Sequence, residues 1–170
     1  MRYAALLRGV SPMNCSMPAL KKCLEKAGFS NVVTVLSSGN VVFDARSASI
    51  ATLEKKVEAA IAADMKRAFP TLVRSIDDLA ALLESEPYRG VRLSPGSKRV
   101  ITFLRRPPKP APKLPIELDG AKIVSLEGTE VFSAYVTGPK GPVFMTLLEK
   151  TFGKDITTRT WDTVTKLTKK

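Results

Sequence analysis

The stretch VLSSGNVVF, residues 35–43, decides how the first half of the chain folds. Two runs rich in β-branched residues, NVVTVLSS and NVVFDA, flank Gly39 and Asn40. Two such runs on either side of a glycine predict a β-hairpin. The order Gly-Asn is typical of a type II′ turn, in which the glycine takes a positive φ. The stretch therefore predicts two antiparallel strands that turn at Gly39-Asn40.

The segments around this hairpin predict the element order β-α-β-β-α-β. Apolar residues that recur every three or four positions indicate helices, and serine caps mark where those helices begin. The predicted elements are a strand at 2–9, a helix capped by Ser16, the two hairpin strands, a helix that Ser47 or Ser49 caps and that ends before Pro70, and a strand at 71–75. This order is typical of a ferredoxin-like sandwich. We therefore predict an α+β fold with an N-terminal ferredoxin-like subdomain over residues 1–75.

Residues 76–170 predict a degenerate form of the same order. The segment RPPKPAPKLP holds five of the twelve prolines, so it must be extended and replaces the expected helix. No repeat of individual residues is visible, and one continuous mixed sheet is the alternative. We expect a second, degenerate ferredoxin-like α/β subdomain that shares a core with the first. Its predicted elements are a short helix after Ser75, a strand at 99–105, a hairpin that turns at Glu127-Gly128, a helix in 141–153 and a last helix capped by Thr160.

The chain contains no histidine. This removes the Ser-His and Cys-His nucleophilic pairs, the most common general base near neutral pH, and most transition-metal sites. The sequence also lacks the motifs GxxxxGK[ST], GxGxxG and HExxH. We therefore expect no metal and no cofactor, and the sequence leaves open whether the protein is an enzyme.

Net charge is the second feature that bears on function. The chain carries 27 Lys and Arg against 16 Asp and Glu, a net charge of +11. Residues 1–85 hold 11 basic and 8 acidic side chains, whereas residues 86–170 hold 16 and 8, so most of the excess lies in the second half. Such a surplus favours polyanions, which predicts nucleic acid or a phosphorylated small molecule as the partner. The alternative is a soluble protein that is merely basic.

Cysteine usage and hydropathy predict a cytoplasmic protein without a membrane partner. Cys15 and Cys23 form no CxxC pair, so we expect two reduced thiols, with Cys23 in the core and Cys15 more accessible in a loop. A disulfide between them is the alternative. The N-terminal MRYAALLRGV lacks the pattern of a signal peptide. No run approaches the roughly 18 apolar residues that a membrane span needs.

Two stretches near the start gather groups that can bind anions. In residues 37–40, backbone N–H groups beside the hydroxyls of Ser37 and Ser38 can form a small anion-binding nest. The alternative is that the glycine and the asparagine only shape the turn. Arg8 ends the first strand, where it either reaches solvent or binds a carboxylate or phosphate.

A third stretch, TTRTWDTVTK (157–166), places hydroxyls and cations around a helix N-terminus, which attracts anions. The alternative is that Thr160 is an ordinary cap, Trp161 a core anchor and Arg159 a surface charge. The candidate anion-binding residues are Arg8, Ser37, Ser38, Gly39, Asn40, Thr158, Arg159, Thr160, Trp161 and Lys166.

Aromatic residues are too sparse to predict an RNA-recognition motif, although the predicted element order invites that comparison. Such motifs stack bases on aromatic side chains of the central strands. Here RVITFLR and NVVFDA supply one Phe each, and the K/R-G-F/Y pattern is missing.

LLRGVSPMN, VLSSGNVVF and TTRTWDTVTKL occur in this order and together resemble the small bacterial family known as domain of unknown function 1697. Members of that family read LRG(I/V)N, then SGN, then TRNW. The resemblance spans nearly the whole chain and implies a cytoplasmic α+β protein of two ferredoxin-like parts, with no established activity. The family pattern falls on Arg8, Gly9, Ser38, Gly39, Asn40, Thr158, Arg159 and Trp161.

The chain departs from this family pattern at three places. The loop after LRGV is shorter and reads SPMNCSM, Thr160 replaces the Asn of TRNW, and GPVFM stands where the family has a polar stretch. A family site that used the first loop or that Asn would be altered here.

Three hypotheses about function follow from the sequence. The first is a non-catalytic protein that binds an anionic partner, either nucleic acid or a nucleotide. The second is a small-molecule enzyme in which Arg8, Arg159 and the 37–40 turn orient an anionic substrate. Asp44 or Asp162 would then act as the base. The third is a protein-interaction module that uses the proline-rich segment, for which a plain linker is the alternative.

Overall fold

The computed structural model describes residues 1–138 and 142–170. Within these ranges the chain forms nine strands and five helices, and the strands lie in two antiparallel sheets. The fold is therefore mixed α+β, as predicted. The chain divides into two compact units, one of residues Met1–Ala81 and Thr165–Lys170 and the other of residues Leu82–Val164. A domain boundary at residue 75 and a core shared by two subdomains stay predictions.

The first unit has the predicted element order. Its elements are β1 (Arg2–Leu7), α1 (Met17–Lys26), β2 (Ser30–Val35), β3 (Asn40–Asp44), α2 (Ile50–Met65) and β4 (Thr71–Ser75), and α3 (Ile76–Glu84) follows without a break. The four strands pair in the order β2-β3-β1-β4, and every pair is antiparallel.

Both long helices of this unit begin at a serine cap. The side chain of Ser16 accepts a hydrogen bond from the amide of Ala19, and that of Ser49 accepts one from Thr52. Ser49 is therefore the cap of α2, one of the two serines that the pattern allowed. The apolar stripes of α1 and α2 pack in one buried cluster with the inner strands.

The hairpin predicted at 35–43 forms, but its turn is longer than predicted. Residues 36–39 make the turn, and Gly39 takes the expected positive φ of 86°. Asn40 is already part of β3, where it pairs with Val35. The type II′ turn centred on Gly39-Asn40 was therefore wrong. The side-chain amide of Asn40 also donates to the carbonyl of Val35, so the turn ends at Gly39, one residue before the predicted end at Asn40.

Both cysteines are free thiols in the core of the first unit. Cys23 lies on the buried face of α1, as predicted, but Cys15 is also buried, so its predicted accessibility was wrong. Asn14 explains the difference, because its side-chain amide donates to the carbonyl of Gly9 at 2.8 Å. The amide of Cys15 also donates to Ser11, and the closed loop turns the thiol inward.

The second unit contains the other sheet, whose strands are ordered β6-β7-β8-β5-β9. Residues 106–115 contain neither helix nor strand, as predicted from their prolines. Gly141, the first residue of the segment predicted to hold a helix, lies outside the described residues. The elements are β5 (Lys98–Leu104), β6 (Ile116–Leu118), β7 (Ala121–Glu127), β8 (Glu130–Tyr135), α4 (Val143–Phe152), β9 (Ile156–Thr160) and α5 (Trp161–Leu167). The last three residues of α5 belong to the first unit.

Strand pairing in the second sheet repeats that of the first. Strands β7, β8, β5 and β9 are ordered as β2, β3, β1 and β4 are. The segments RSID (74–77) and RTWD (159–162) therefore hold equivalent positions, a residue-level repeat that the sequence pattern did not reveal. In the first sheet Arg74 pairs with Ala4 and Ser75 pairs with Tyr3. In the second sheet the equivalent pairs are Arg159 with Ile101 and Thr160 with Val100.

A separate apolar cluster stabilises the second unit. One face of α4, with Phe144 and Leu148, packs on residues of β5 and β7 that include Val100 and Ile123. Among the helices of the described residues, none combines the length and apolar character that crossing a membrane would require.

Candidate anion-binding site

The first two predicted stretches meet in the first unit. The amide of Leu7, the last residue of β1, donates to the carbonyl of Gly39 at 2.9 Å. Arg8 follows directly and is half-buried, and its amide donates to the carbonyl of Pro70 at 2.8 Å. The backbone of Arg8 therefore lies between the 36–39 turn and the start of β4.

The polar residues of the turn make contacts within the hairpin. Asn40 is fully buried, and its side-chain amide donates to the carbonyl of Val35 and to the hydroxyl of Ser38, both at 3.0 Å. Ser37 and Ser38 are exposed. These contacts fit the alternative in which Gly39 and Asn40 shape the turn, and an anion-binding nest here stays a prediction.

The third predicted stretch spans β9 and α5. Thr158 and Arg159 lie on β9, and the hydroxyl of Thr160 accepts from the amide of Thr163 at 3.2 Å, so Thr160 is an ordinary cap of α5. Lys166 is exposed in the last turn of α5. A single site that combines this stretch with the first two stays a prediction.

A cavity of about 400 Å³ lies in the second unit beside β9. A volume of this size accepts a small organic molecule. We call it the Arg159 cavity. Its apolar wall comes from Val100, Ala121, Tyr135, Val136, Val143, Phe144 and Met145, and its polar wall comes from Asp119, Thr137, Thr158, Arg159 and Thr160.

Arg159, which is among the residues that line this cavity, carries a buried guanidinium. The residue is only 9% exposed, and its Nη1 donates to the hydroxyl of Thr157 and to the carbonyl of Thr158, both at 2.7 Å. Burial lowers the pKa of Arg159 to about 10, so the guanidinium remains protonated at neutral pH. Because little water surrounds this cation, its attraction for an anion in the cavity is less screened than at the surface.

The amino end of α4 faces the same cavity. Pro142 stands at the cap position and offers no side-chain hydrogen bond to the amides of the first turn. The positive end of the helix dipole therefore adds to the charge of Arg159. Asp119 also lines the cavity, and it is exposed on the turn between β6 and β7.

Sequence reasoning found the polar side of this cavity and missed its apolar side. Tyr135 and Phe144 stack with ring centroids 4.6 Å apart and an angle of 15° between the ring planes. Apolar residues at strand and helix spacing were interpreted as core, which most of them are. The available signal was the apolar GPVFM (141–145), noted above as a departure from the family pattern.

A second recess, of about 410 Å³, lies in the same unit beside Trp161. The guanidinium carbon of Arg99, which is exposed, lies 4.9 Å from the centroid of the Trp161 ring and 5.6 Å from that of Tyr88. The Tyr88 hydroxyl lies 2.9 Å from the carbonyl oxygen of Val100 and 2.7 Å from that of Ser133, which fixes the ring. Trp161 therefore packs against Tyr88 and carries a cation on its face.

Asp44, one of the two carboxylates considered as catalytic bases, is poorly suited to that role. Asp44 accepts from the side-chain amide of Asn31 at 2.7 Å and from Arg2 at 2.8 Å, and these hydrogen bonds lower its pKa. A base with a lowered pKa takes up protons poorly near neutral pH. Asp162 is exposed in the first turn of α5. Over residues 1–138 and 142–170, no group of three or more Cys, Asp or Glu side chains could hold a metal ion.

Comparisons with known proteins agree with the family resemblance. The model of a family described as protein of unknown function (DUF1697) matches residues 1–132, and the chain belongs to this family. A solved structure, that of the conserved bacterial protein SP0830 from Streptococcus pneumoniae, is similar with a TM-score of 0.72. The two are 22% identical, and the match covers 99% of this chain and 96% of that one. At this identity the likeness supports the fold alone. The chain matches no curated protein.

Proposed function

We propose that this member of the family binds a small organic anion, without catalysis, in the Arg159 cavity. One observation carries the proposal: a buried arginine lines a cavity whose wall is otherwise largely apolar. A ligand with one charged group and an apolar body would satisfy both parts of that wall.

The dimensions of the Arg159 cavity favour a small molecule over a nucleic acid chain. A cavity of about 400 Å³ encloses a small ligand, whereas nucleic acids are bound along extended basic grooves. The expected anionic partner is therefore narrowed to an organic carboxylate or a phosphate ester.

The strand order supports a ferredoxin-like fold for each unit. The first unit combines β-α-β-β-α-β order with the sheet order β2-β3-β1-β4, and the second repeats that pairing with the proline-rich segment in place of the first helix. Free buried thiols support a cytoplasmic location.

Ligand-observed saturation-transfer NMR tests the proposed function. The panel contains organic carboxylates and phosphate esters, each beside its neutral amide or alcohol. We expect anions to bind and their neutral analogues to bind at least tenfold more weakly, because the loss of a charge-assisted hydrogen bond costs about 1.5–3 kcal/mol. Arg159→Gln should weaken anion binding by a similar factor, and Arg159→Lys should restore part of it.

Arg74 offers a matched control, because it makes the same backbone contact in the first unit. Arg74→Lys should leave anion binding unchanged. Equal binding of anions and neutral analogues, or full binding by a folded Arg159→Gln variant, would contradict the proposal.

The recess beside Trp161 supports a second candidate, the binding of single-stranded nucleic acid. An exposed guanidinium over an indole is a surface on which a base can stack. Trp161 is the one tryptophan of the chain, so its fluorescence reports directly on this recess. Quenching by an oligonucleotide should weaken with salt, with a log–log slope of about 0.7 per phosphate contact. Unchanged fluorescence at low salt would remove this candidate.

A further inference from the structure

The first unit contains a carboxylate beside a buried arginine at the outer edge of β4. The Nη1 of Arg74 donates to the carbonyl of Val73 at 2.8 Å. Glu54, a buried residue of α2, accepts from the amide of Val73 at 3.0 Å through Oε2, which lies 3.9 Å from Nη1 of Arg74. The protein therefore binds one of its own carboxylates at this edge, between an outward-facing amide and a guanidinium.

Strand β9 repeats the backbone part of this arrangement. The Nη1 of Arg159 donates to the carbonyl of Thr158 at 2.7 Å, and β9 pairs with β5 in the register in which β4 pairs with β1. The amide of Leu104 donates toward β8, to the carbonyl of Thr129. The backbone N–H and C=O groups of neighbouring strand residues point to opposite sides. Those of Phe103 therefore point to β9, where Phe103 pairs with Thr157. The amide of the next residue, Thr158, then points to the outer edge of the sheet.

Met145 of α4 contacts Thr158, the register equivalent of Val73, as Glu54 of α2 contacts Val73. Its Sδ lies 4.0 Å from the hydroxyl of Thr158, and Met145, Thr158 and Arg159 all line the Arg159 cavity. A thioether carries no charge. The carboxylate that completes the edge of β4 thus has no counterpart on the matched position of α4, and the cavity lies at that point.

We propose that the carboxylate of the ligand takes, in the Arg159 cavity, the place that Glu54 takes in the first unit. It accepts from the amide of Thr158 and faces the guanidinium of Arg159. The apolar body of the ligand lies against Tyr135 and Phe144. This inference rests on the proposed function and narrows the ligand to a monocarboxylate with an apolar or aromatic body, since the model for its charged group is a glutamate side chain.

Two substitutions at Met145 test the equivalence without any ligand. Met145→Glu should bring a carboxylate to the amide of Thr158, and Met145→Gln is the neutral control of the same length. In ¹H–¹⁵N spectra, the Thr158 amide proton of Met145→Glu should move downfield and titrate in the carboxyl range, whereas that of Met145→Gln should not titrate. A Thr158 amide that does not respond in a folded Met145→Glu variant would overturn the inference.

The same amide reports on binding of a defined probe. We expect 3-phenylpropionate to shift the Thr158 amide of the unsubstituted protein, and 3-phenylpropanamide to leave it unchanged. Met145→Glu should weaken binding of 3-phenylpropionate at least tenfold, since its own carboxylate fills the position, and Met145→Gln should change it less than about threefold. These factors correspond to roughly 1.4 and 0.7 kcal/mol.

The outcomes separate this inference from the proposed function. Binding of 2-phenylethyl phosphate without binding of 3-phenylpropionate would overturn the inference and leave the proposed function standing. Undiminished binding of 3-phenylpropionate by Met145→Glu would also overturn the inference alone. If no organic anion binds, both fail.

Discussion

Arg74 and Arg159 each donate from Nη1 to the carbonyl of the residue before them, at 2.8 and 2.7 Å. Both are buried, and both stand next to last in the outer strand of a sheet. The hydroxyl residues that follow them, Ser75 and Thr160, cap the next helix in the same way. At the first edge Glu54 of α2 contacts Val73, whereas at the second Met145 of α4 contacts the equivalent Thr158 and both residues line a cavity. This difference is the basis of the proposed site.

The first prediction concerns the edge that carries its own carboxylate. Glu54→Ala should destabilise the protein by about 3–5 kcal/mol, because it leaves the buried Arg74 without that carboxylate and removes the acceptor of the Val73 amide. Urea unfolding measures the loss. Glu54→Gln keeps an oxygen acceptor for the Val73 amide and should therefore lose less stability than Glu54→Ala. A loss below about 1 kcal/mol for Glu54→Ala would contradict a structural role for this carboxylate.

The second prediction concerns the glycine of the decisive hairpin. At Gly39, φ is 86° and a Cβ would lie 3.0 Å from the side chains of Leu7 and Val10. Gly39→Ala therefore adds a steric clash to an unfavourable backbone conformation, and we expect a loss of about 2–4 kcal/mol. Gly9→Ala is the control, because φ there is 83° but nothing lies within 4 Å of the added atom. Equal thermal destabilisation of the two variants would show that the close packing of Gly39 contributes nothing.

The third prediction concerns thiol reactivity. Burial raises the pKa of both Cys15 and Cys23, and for Cys23 the neighbouring Asp64 raises it further. A raised pKa leaves less thiolate at a given pH, so both thiols should react slowly with an aromatic disulfide reagent at pH 8 and rapidly in denaturant. Fast modification of Cys15 in the folded protein would contradict this prediction and show that Cys15 is accessible, as the sequence predicted.

The fourth prediction concerns acid stability. Hydrogen bonds from Asn31 and Arg2 lower the pKa of Asp44 in the folded state. The folded state therefore favours the ionised carboxylate, and the stability that it contributes is present above the ordinary carboxyl range and is lost as the pH falls through the folded pKa. Asp44→Asn should therefore lower the stability of the protein at neutral pH, have its smallest effect at low pH, and make unfolding less dependent on pH in that acid range. If Asp44→Asn and the unsubstituted protein show the same dependence of unfolding on pH, Asp44 makes no such contribution to stability.

The sequence predicted those parts of the fold that depend on local chemistry. The hairpin at 35–43, the caps Ser16 and Thr160, and the extended proline-rich segment each follow from a few neighbouring residues. The exact turn did not, because the length of the 36–39 turn depends on the pairing of Asn40 with Val35. Cys15 was misplaced for a similar reason, since Asn14 closes the loop that buries it.

The site was predicted only in its polar half. Arg159 and Thr158 belong to a recognisable motif, whereas Met145 and Tyr135 belong to the apolar patterns that also build cores. The residue-level repeat was invisible because it rests on strand register, which brings Arg74 and Arg159 to matched positions in sequences that otherwise differ. Register is a property of the assembled sheet and leaves little trace in one sequence.

Anomalous diffraction from crystals soaked in 3-(4-bromophenyl)propionate tests the central claim most directly. We predict a bromine peak inside the Arg159 cavity, against Tyr135 and Phe144, with the carboxylate about 3 Å from the Thr158 amide or the Arg159 guanidinium. A bromine peak elsewhere, with this cavity free of the soaked compound at saturating concentration, would contradict the account.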